Sequence, residues 1–185
     1  MEKIYISAGE LLADSFRLGA RILKSGYHPD FVLGVWRGGA PVAIAIHEYF
    51  SILGVATELV AIKASSYAGI DQRTRTVRVT GLSQLLDLVS PDHSLLIVDD
   101  VFDTGLTVAE ILAQLRQQTG ERCPNQIRVA CPWYKHTRNR TQCRPDYHLH
   151  ETSSWLVFPH ELDGLSRAEV RCKPDLGGVL DELEL

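Results

Sequence analysis

The chain has 185 residues, of which 45% are hydrophobic and 23% are charged, and its formal net charge is −4. This length suits one domain with a real core, and the negative charge gives no electrostatic reason to expect binding to nucleic acid or to an acidic membrane. The apolar stretches are far shorter than the roughly 18–20 residues that span a bilayer, and the amino terminus lacks a signal-peptide pattern. We therefore expect a cytoplasmic protein without a membrane partner, whose four scattered cysteines are reduced thiols.

Alternating helical and extended patterns predict the fold class. In chain order they predict a helix over 9–25, a strand at 31–36, a helix over 42–50, strands at 58–63 and 76–79, a helix over 82–89, a strand at 94–99, a helix over 105–118 and a strand at 126–130. Strands that alternate with helices at this spacing indicate an α/β fold with a mostly parallel open sheet flanked by helices. The strand at 76–79 alternates polar and apolar residues, which is typical of an edge or hairpin strand.

The regular pattern ends near residue 132. Aromatic residues and prolines over 133–163 predict a small irregular lobe above the sheet edge, and residues 164–185 form a polar, then acidic tail that can hold a peripheral helix. We therefore expect one domain over 1–163, with a core over about 9–132 and a lobe over about 133–163.

The most informative segment is residues 95–107, which read Leu-Leu-Ile-Val-Asp-Asp-Val-Phe-Asp-Thr-Gly-Leu-Thr. A wholly apolar run is typical of a strand buried on both faces, and its carboxyl end lies at the edge where open α/β sheets bind ligands. Asp99 and Asp100 suit vicinal hydroxyls or a metal ion. A glycine-bearing turn that opens a helix suits a phosphate, because free backbone N–H groups and the positive end of the helix dipole meet there. The two features together favour a phosphorylated ribose.

This segment closely resembles the phosphoribosyl pyrophosphate (PRPP) motif of the type I phosphoribosyltransferases. In that family the two acids hold the ribose 2′ and 3′ hydroxyls and the loop wraps the 5′-phosphate. The resemblance implies that Asp99 and Asp100 bind the hydroxyls. It implies a phosphate loop formed by Asp103, Thr104, Gly105, Leu106 and Thr107. It also implies magnesium as the cofactor, with Asp99, Asp100 and Glu161 as ligands, directly or through water.

Two further segments match the PRPP end of such a site. Arg37, Gly38 and Gly39 follow the first predicted strand, and they resemble the pyrophosphate loop of the family, in some members of which the peptide bond before the basic residue is cis. Here that bond would join Trp36 and Arg37. Ser65, Ser66 and Tyr67 open a polar segment, 64–74, that resembles the flexible loop that closes over PRPP and excludes water.

The base end resembles the 6-oxopurine branch, the hypoxanthine-guanine and xanthine-guanine enzymes. That likeness makes Lys135 the donor to the 6-oxo oxygen and Trp155 the stacking aromatic, with Trp133 as a competitor for stacking. It places Leu156 and Glu161 in the purine site, and it makes Asp103 the candidate general base for the purine's imidazole proton.

The resemblance implies transfer of the phosphoribosyl group from PRPP to guanine, xanthine or hypoxanthine, by a homo-dimer or homo-tetramer. Two alternatives remain open: an enzyme for another base, such as adenine or orotate, and a PRPP-sensing regulator on the same fold. The sequence also departs from the family at Trp36, at Leu106 and in its tail.

Overall fold

The computed structural model describes residues 3–68 and 75–176, together with residues 179 and 182. Ten strands and five α-helices form this part of the chain. In chain order they are β1 (Lys3–Tyr5), α1 (Ala8–Lys24), β2 (Phe31–Trp36), α2 (Gly39–Ile52), β3 (Glu58–Ala68), β4 (Arg75–Thr80), α3 (Ser83–Leu86), β5 (Ser94–Val98), β6 (Val101–Phe102), α4 (Leu106–Thr119), β7 (Gln126–Ala130), β8 (Trp133–Tyr134), β9 (His150–Glu151), β10 (Trp155–Val157) and α5 (Arg167–Arg171).

The main sheet has five strands in the order β4-β3-β2-β5-β7. Four of them run parallel, and β4 pairs antiparallel with β3 at one edge. Every residue of β5 is buried, as its unbroken apolar run predicts for a central strand covered on both faces. The predicted α/β class with a mostly parallel sheet is therefore confirmed, and so is the edge position of β4.

Helices cover both faces of this sheet and give it two cores. On one face α1 and α2 pack against β2 and β5, and their fully buried side chains include Leu18, Ile46 and Phe50. On the other face α3 and α4 pack through Leu85, Ile111 and related apolar residues. The predicted helices match these elements closely, except that α2 begins at Gly39, within the predicted loop, and α3 spans only four residues.

The lobe above the sheet, which we call the hood, is more regular than predicted. One small sheet joins β6, β8 and β9, and another joins β1 to β10 in parallel. The backbone N–H of Ile6 extends the second pairing by donating to Val157 O at 3.0 Å. These strands have only two or three residues each, too short for the alternation of side chains to reveal them. The hood is thus built from both ends of the described chain.

The strand β3 is longer than predicted. Residues 64–68 pair with 75–79 of β4, so the polar segment continues the sheet as a two-stranded arm instead of leaving it as a loop. Residues 64–74 are mostly polar, and a polar run looks like a loop in the sequence. The rest of the predicted flexible segment, 69–74, lies outside the described residues.

The tail contains the helix α5, which begins with a capping box formed by Ser166 and Glu169. The expected helix is therefore present, but it is not peripheral, because Val170 and Lys173 are both buried. In the residues that the structure describes, no helix is both long and apolar enough to cross a membrane.

Asp30 fixes the register at the start of the central strands. Its carboxylate Oδ2 accepts hydrogen bonds from the backbone N–H and the hydroxyl of Ser94, at 2.7 and 2.8 Å. Its backbone O accepts from Glu58 N at 2.9 Å, so one residue links β2 to both neighbouring strands. Partial burial alone would raise the pKa of Asp30, but the hydrogen bonds from Ser94 outweigh it and lower this pKa below its usual value.

The variant Asp30→Asn should lower the free energy of unfolding by about 1 kcal/mol at pH 7, because charge-assisted hydrogen bonds are lost. A carboxylate with a lowered folded pKa stabilises the native state above its unfolded pKa and loses that contribution as it protonates. The difference should therefore shrink as the pH falls below about 4. Urea unfolding of both proteins at several pH values measures it. The exposed Asp92→Asn is the control, and an effect of equal size there would contradict the assignment.

Candidate active site

The carboxyl edge of the main sheet holds a polar pocket. It has a volume of about 200 Å³, and it lies where β5 ends and α4 begins. Its polar lining consists of Asp99, Asp100, Asp103, Thr104, Gly105 and Thr107. The structure thus brings together six of the seven residues predicted to bind the ribose and its phosphate. The seventh, Leu106, begins α4 and is partly exposed.

The two adjacent carboxylates are held by the backbone around them. Asp100 N donates to Asp99 Oδ1 at 3.0 Å, and Val101 N donates to Asp100 Oδ1 at 2.8 Å. Burial, with the neighbouring Asp100 carboxylate, raises the pKa of Asp99 well above its usual value. Two carboxylates that repel each other at the mouth of a pocket favour a ligand that brings positive charge or hydroxyl donors.

The glycines after β2 approach these acids closely. A Cβ on Gly38 would lie 2.1 Å from Asp100 Oδ2, and one on Gly39 would lie 2.4 Å from Val98 O and 2.8 Å from Asp99 Cα. Only glycine leaves the space for this contact between the ends of β2 and β5. Arg37, in the same loop, is exposed, and the peptide bond between Trp36 and Arg37 is cis, as hypothesised from the resemblance.

The predicted phosphate loop ends in a helix with unpaired donors. Gly105 has φ +78° in the left-handed region and forms the N-cap of α4. The first backbone bond of that helix runs from Ala109 N to Gly105 O at 3.0 Å. Among the described residues, the N–H groups of Thr104 and Thr107 have no backbone partner. This arrangement can bind an anion through backbone N–H groups, and it does not depend on the side chain of Leu106.

Asp103 lies between two cations. Lys135 Nζ is 3.7 Å from Asp103 Oδ2, and Arg138 Nε is 2.9 Å from Asp103 Oδ1. The second contact does not have hydrogen-bond geometry, so Oδ1 is a buried carboxylate oxygen without a hydrogen bond. Arg138 therefore covers Oδ1, while the Asp103 side chain as a whole stays 33% exposed and lines the pocket.

Lys135 also joins Asp103 to the hood. It is only 4% exposed, and its Nζ lies 5.8 Å from the centroid of the Trp155 ring, a cation–π contact. Trp155 is 47% exposed, so its ring remains accessible to a ligand. Trp133 instead stacks on His150 at 4.4 Å and packs against the core on the α1 side. The structure therefore favours Trp155 over Trp133 as the stacking residue.

The structure gives the two other predicted purine-site residues, Leu156 and Glu161, different surroundings from Lys135 and Trp155. Leu156 is buried, its side chain packs into the core on the α1 side, and it pairs with Ile4 of β1. The Glu161 carboxylate turns back and accepts from Phe158 N at 3.1 Å. Within the described ranges no three acidic, histidine or cysteine side chains converge as a metal cluster, so Glu161 forms no such cluster with Asp99 and Asp100.

The predicted flexible-loop residues Ser65, Ser66 and Tyr67 lie in β3, on the arm that it forms with β4. Ser65 is half-buried. The arm begins beside the glycine loop. Lys63, the residue of β3 before the arm, is paired with Trp36, the residue of β2 before Arg37.

Sequence reasoning missed two residues that contact the acids. His160 Nε2 lies 3.1 Å from Asp100 Oδ2, and Arg138 pairs with Asp103 as described above. Both stand near residues that the resemblance singled out, His160 immediately before Glu161 and Arg138 three residues after Lys135. Their chemistry gives no further signal in the sequence, because lone histidines and arginines are ordinary surface residues.

The acids at the pocket fit the magnesium ion that the resemblance of the sequence implies. Mg²⁺ prefers carboxylate oxygens and keeps several waters, and in phosphate chemistry it is held by one or two carboxylates together with the substrate. The adjacent carboxylates of Asp99 and Asp100 supply that donor set without a third carboxylate.

Comparison with known proteins agrees with this geometry. The chain matches the family described as the phosphoribosyl transferase domain over residues 5–164. It is 28% identical to the hypoxanthine-guanine phosphoribosyltransferase of Mus musculus over 170 residues, which cover 88% of this chain and 75% of the relative. A purine phosphoribosyltransferase structure from Pyrococcus horikoshii superposes with a TM-score of 0.71 at 26% identity, covering 90% of this chain and 99% of that one. A Helicobacter pylori xanthine-guanine-hypoxanthine phosphoribosyltransferase shares the fold, with a TM-score of 0.66 at 19% identity over 85% of this chain and 92% of that one.

The chain therefore belongs to the phosphoribosyl transferase domain family, and it is an enzyme of the phosphoribosyltransferase class. The match covers the sheet, the acidic pair, the phosphate loop and the hood. It ends at residue 164, before α5.

The close contact at the two loop glycines gives a graded prediction. Gly39→Ala should lower the free energy of unfolding by about 2–3 kcal/mol, because its Cβ meets backbone atoms that cannot rotate away. Gly38→Ala should cost less, because its Cβ meets the Asp100 carboxylate, which can move. Urea unfolding measures both. The control is Gly9→Ala, whose Cβ meets nothing within 4 Å and should stabilise by at most about 1 kcal/mol. Equal effects at all three positions would contradict this account.

Proposed function

We propose that this enzyme transfers the 5-phosphoribosyl group from PRPP to a 6-oxopurine, giving a purine nucleoside 5′-monophosphate and pyrophosphate in purine salvage. The observation that carries the proposal is the position of Lys135, which is buried between the Asp103 carboxylate and the exposed ring of Trp155. A purine stacked on that ring would place its edge against one ammonium and one carboxylate.

The ammonium of Lys135 favours an oxo group on the purine. It has three donors and no acceptor, so it satisfies the 6-oxo oxygen and leaves the 6-amino group of adenine without a partner. A buried donor that is left unpaired costs far more than an exposed one, and this is the basis for strong discrimination between such substrates. The relatives named as hypoxanthine-guanine and purine phosphoribosyltransferases support a purine acceptor. The proposal covers guanine, xanthine and hypoxanthine alike.

Asp103 is the proposed general base. As the bond from C1′ of the ribose to pyrophosphate breaks and the bond from C1′ to a purine imidazole nitrogen forms, that nitrogen gives up its proton. The Asp103 carboxylate lines the pocket and its side chain is partly exposed, so it can take that proton. Lys135 and Arg138 contact the Asp103 carboxylate on either side and orient it. Most of the rate enhancement should come from positioning and charge stabilisation.

The PRPP end uses the sheet edge. In this proposal Asp99 and Asp100 accept hydrogen bonds from the ribose hydroxyls, and the N–H groups from Asp103 to Thr107 bind the 5′-phosphate. Arg37, Gly38 and Gly39 bind the pyrophosphate through a guanidinium and backbone N–H groups. Magnesium held at Asp99 and Asp100, with Glu161 reached through water, would neutralise the pyrophosphate as it gains charge.

The arm and the helical surface complete the proposal. Ser65, Ser66 and Tyr67 would close over PRPP and exclude water from the oxocarbenium-like ribosyl centre.

A homo-dimer or homo-tetramer is proposed as well. The described surface offers it an apolar face on α1 and α2, where Phe16, Tyr49 and the 83% exposed Ile52 line an open groove.

The proposal is tested by pyrophosphate release from PRPP and magnesium, with hypoxanthine, guanine, xanthine, adenine and orotate supplied separately. Turnover with one or more 6-oxopurines and not with adenine or orotate is the expected result. Turnover only with adenine or orotate would overturn the base assignment and leave the PRPP site intact. PRPP binding without turnover on any base would point to the PRPP-sensing regulator instead.

The role of Lys135 gives a kinetic prediction. Lys135→Met keeps much of the side-chain volume and removes the ammonium, so KM for the 6-oxopurine should rise at least about tenfold, which is the scale of one lost charge-assisted hydrogen bond. KM for PRPP should change by less than about threefold. Steady-state kinetics with each substrate varied in turn measures the split, and Lys24→Met on the exposed end of α1 is the matched control. An unchanged KM for the purine would remove Lys135 from the base site.

A further inference from the structure

One turn of the hood contacts the acidic pair directly. This hood turn, residues 158–161, is closed by a hydrogen bond from Glu161 N to Phe158 O at 3.1 Å. Pro159 occupies its second position, where a fixed φ favours a turn. His160 at the third position stacks on Phe158, with ring centroids 5.5 Å apart and an interplanar angle of 13°, and its Nε2 lies 3.1 Å from Asp100 Oδ2. The turn therefore decides where the imidazole meets Asp100.

A lysine from the tail holds this turn from behind. Lys173 is 3% exposed, and its Nζ donates to Phe158 O at 2.5 Å and to Glu161 O at 2.9 Å, the first and last carbonyls of the turn. Burial lowers the pKa of Lys173, although the nearby carboxylates of Glu161 and Asp175 oppose that change. A buried ammonium is costly unless its donors are satisfied. The two carbonyls meet that need only while the turn keeps its shape.

The tail itself is fixed at three other points, so Lys173 is not free to follow a moving turn. Val170 is buried, Glu169 forms an ion pair with Lys3 of β1, and Asp175 Oδ2 accepts from Ala8 N at the start of α1 at 2.7 Å. The tail is thus attached to the hood and to the first helix together.

We infer that Lys173 is a positioning residue for the PRPP site: it fixes the hood turn and, through His160, the orientation of Asp100. The inference rests on the proposed function, in which Asp100 binds the ribose of PRPP. It goes beyond that function because Lys173 lies outside the family match, which ends at residue 164. Nothing in the motif residues reveals that the tail takes part in the site.

A double-mutant cycle tests the inference. Lys173→Met and His160→Phe should each raise KM for PRPP roughly three- to tenfold, the scale of one lost hydrogen bond to a charged group. Each should change KM for the purine less than about twofold. Because both act on Asp100 through the same turn, the double variant should resemble either single variant instead of showing the product of their effects. Arg171→Met, which removes a positive charge from the exposed side of α5, should behave as the wild type.

Several results would overturn the inference. They are an unchanged KM for PRPP in a folded Lys173→Met protein, an equal rise in both KM values, and effects that multiply in the double variant. If Lys173→Met does not fold, Val170→Ala loosens the same helix more mildly and should raise KM for PRPP in the same direction; no change there overturns the inference.

Failure of the proposed function is distinguishable from failure of this inference. A wild-type protein that turns over no base refutes the proposed activity alone. The Kd for PRPP with magnesium, measured by calorimetry, then replaces KM, and the same pattern among the variants decides the role of Lys173. A wild-type protein that does not bind PRPP overturns both.

Discussion

The site depends on a contact between two backbones. The loop after β2 lies so close to the end of β5 that no side chain fits between Gly39 and Val98 O. This contact holds the predicted pyrophosphate loop against Asp99 and Asp100, and parallel pairing of β2 with β5 fixes its register. Because parallel strands end at the same edge, every group that the fold places there faces the same ligand. The hydrogen bonds of Asp30 with Ser94, at the opposite end of the same two strands, fix the register where the pairing of β2 and β5 begins.

The hood supplies what the sheet cannot. The sheet edge offers carboxylates and backbone N–H groups, which suit the sugar and the phosphates. The hood adds Lys135 and Trp155, a buried cation beside an exposed aromatic ring, which suit a planar base with an oxygen on its edge. Asp103 stands between the two parts and contacts cations from the hood segment that follows β8. Its place in the proposed chemistry follows from that intermediate position.

Much of this arrangement could be predicted from the sequence, because the signals for it lie in neighbouring residues. The run from Leu95 to Thr107 encodes a buried strand, two acids and a helix start in successive residues, so the sheet, its functional edge and most of the pocket follow from it. Lys135 and Trp155 could be predicted only by resemblance, and the structure brings them together. The strand β1, the extension of β3 and the contacts of His160 and Lys173 could not be predicted. The first two are runs too short or too polar to show a period. The contacts of His160 and Lys173 are made by single side chains, and no local pattern indicates their partners.

The parallel pairing of β1 with β10 has a consequence for the order of assembly. Residues 3–5 can find their partner only after residues 155–157 exist, so this pairing closes a loop that contains almost the whole domain. Contacts of such long sequence separation form late, because a large loss of chain entropy must precede them. During synthesis, the sheet and its sugar-phosphate edge can therefore take shape while the hood is still missing. On this reasoning, a growing chain can order the edge proposed to bind PRPP before the hood proposed to bind the base.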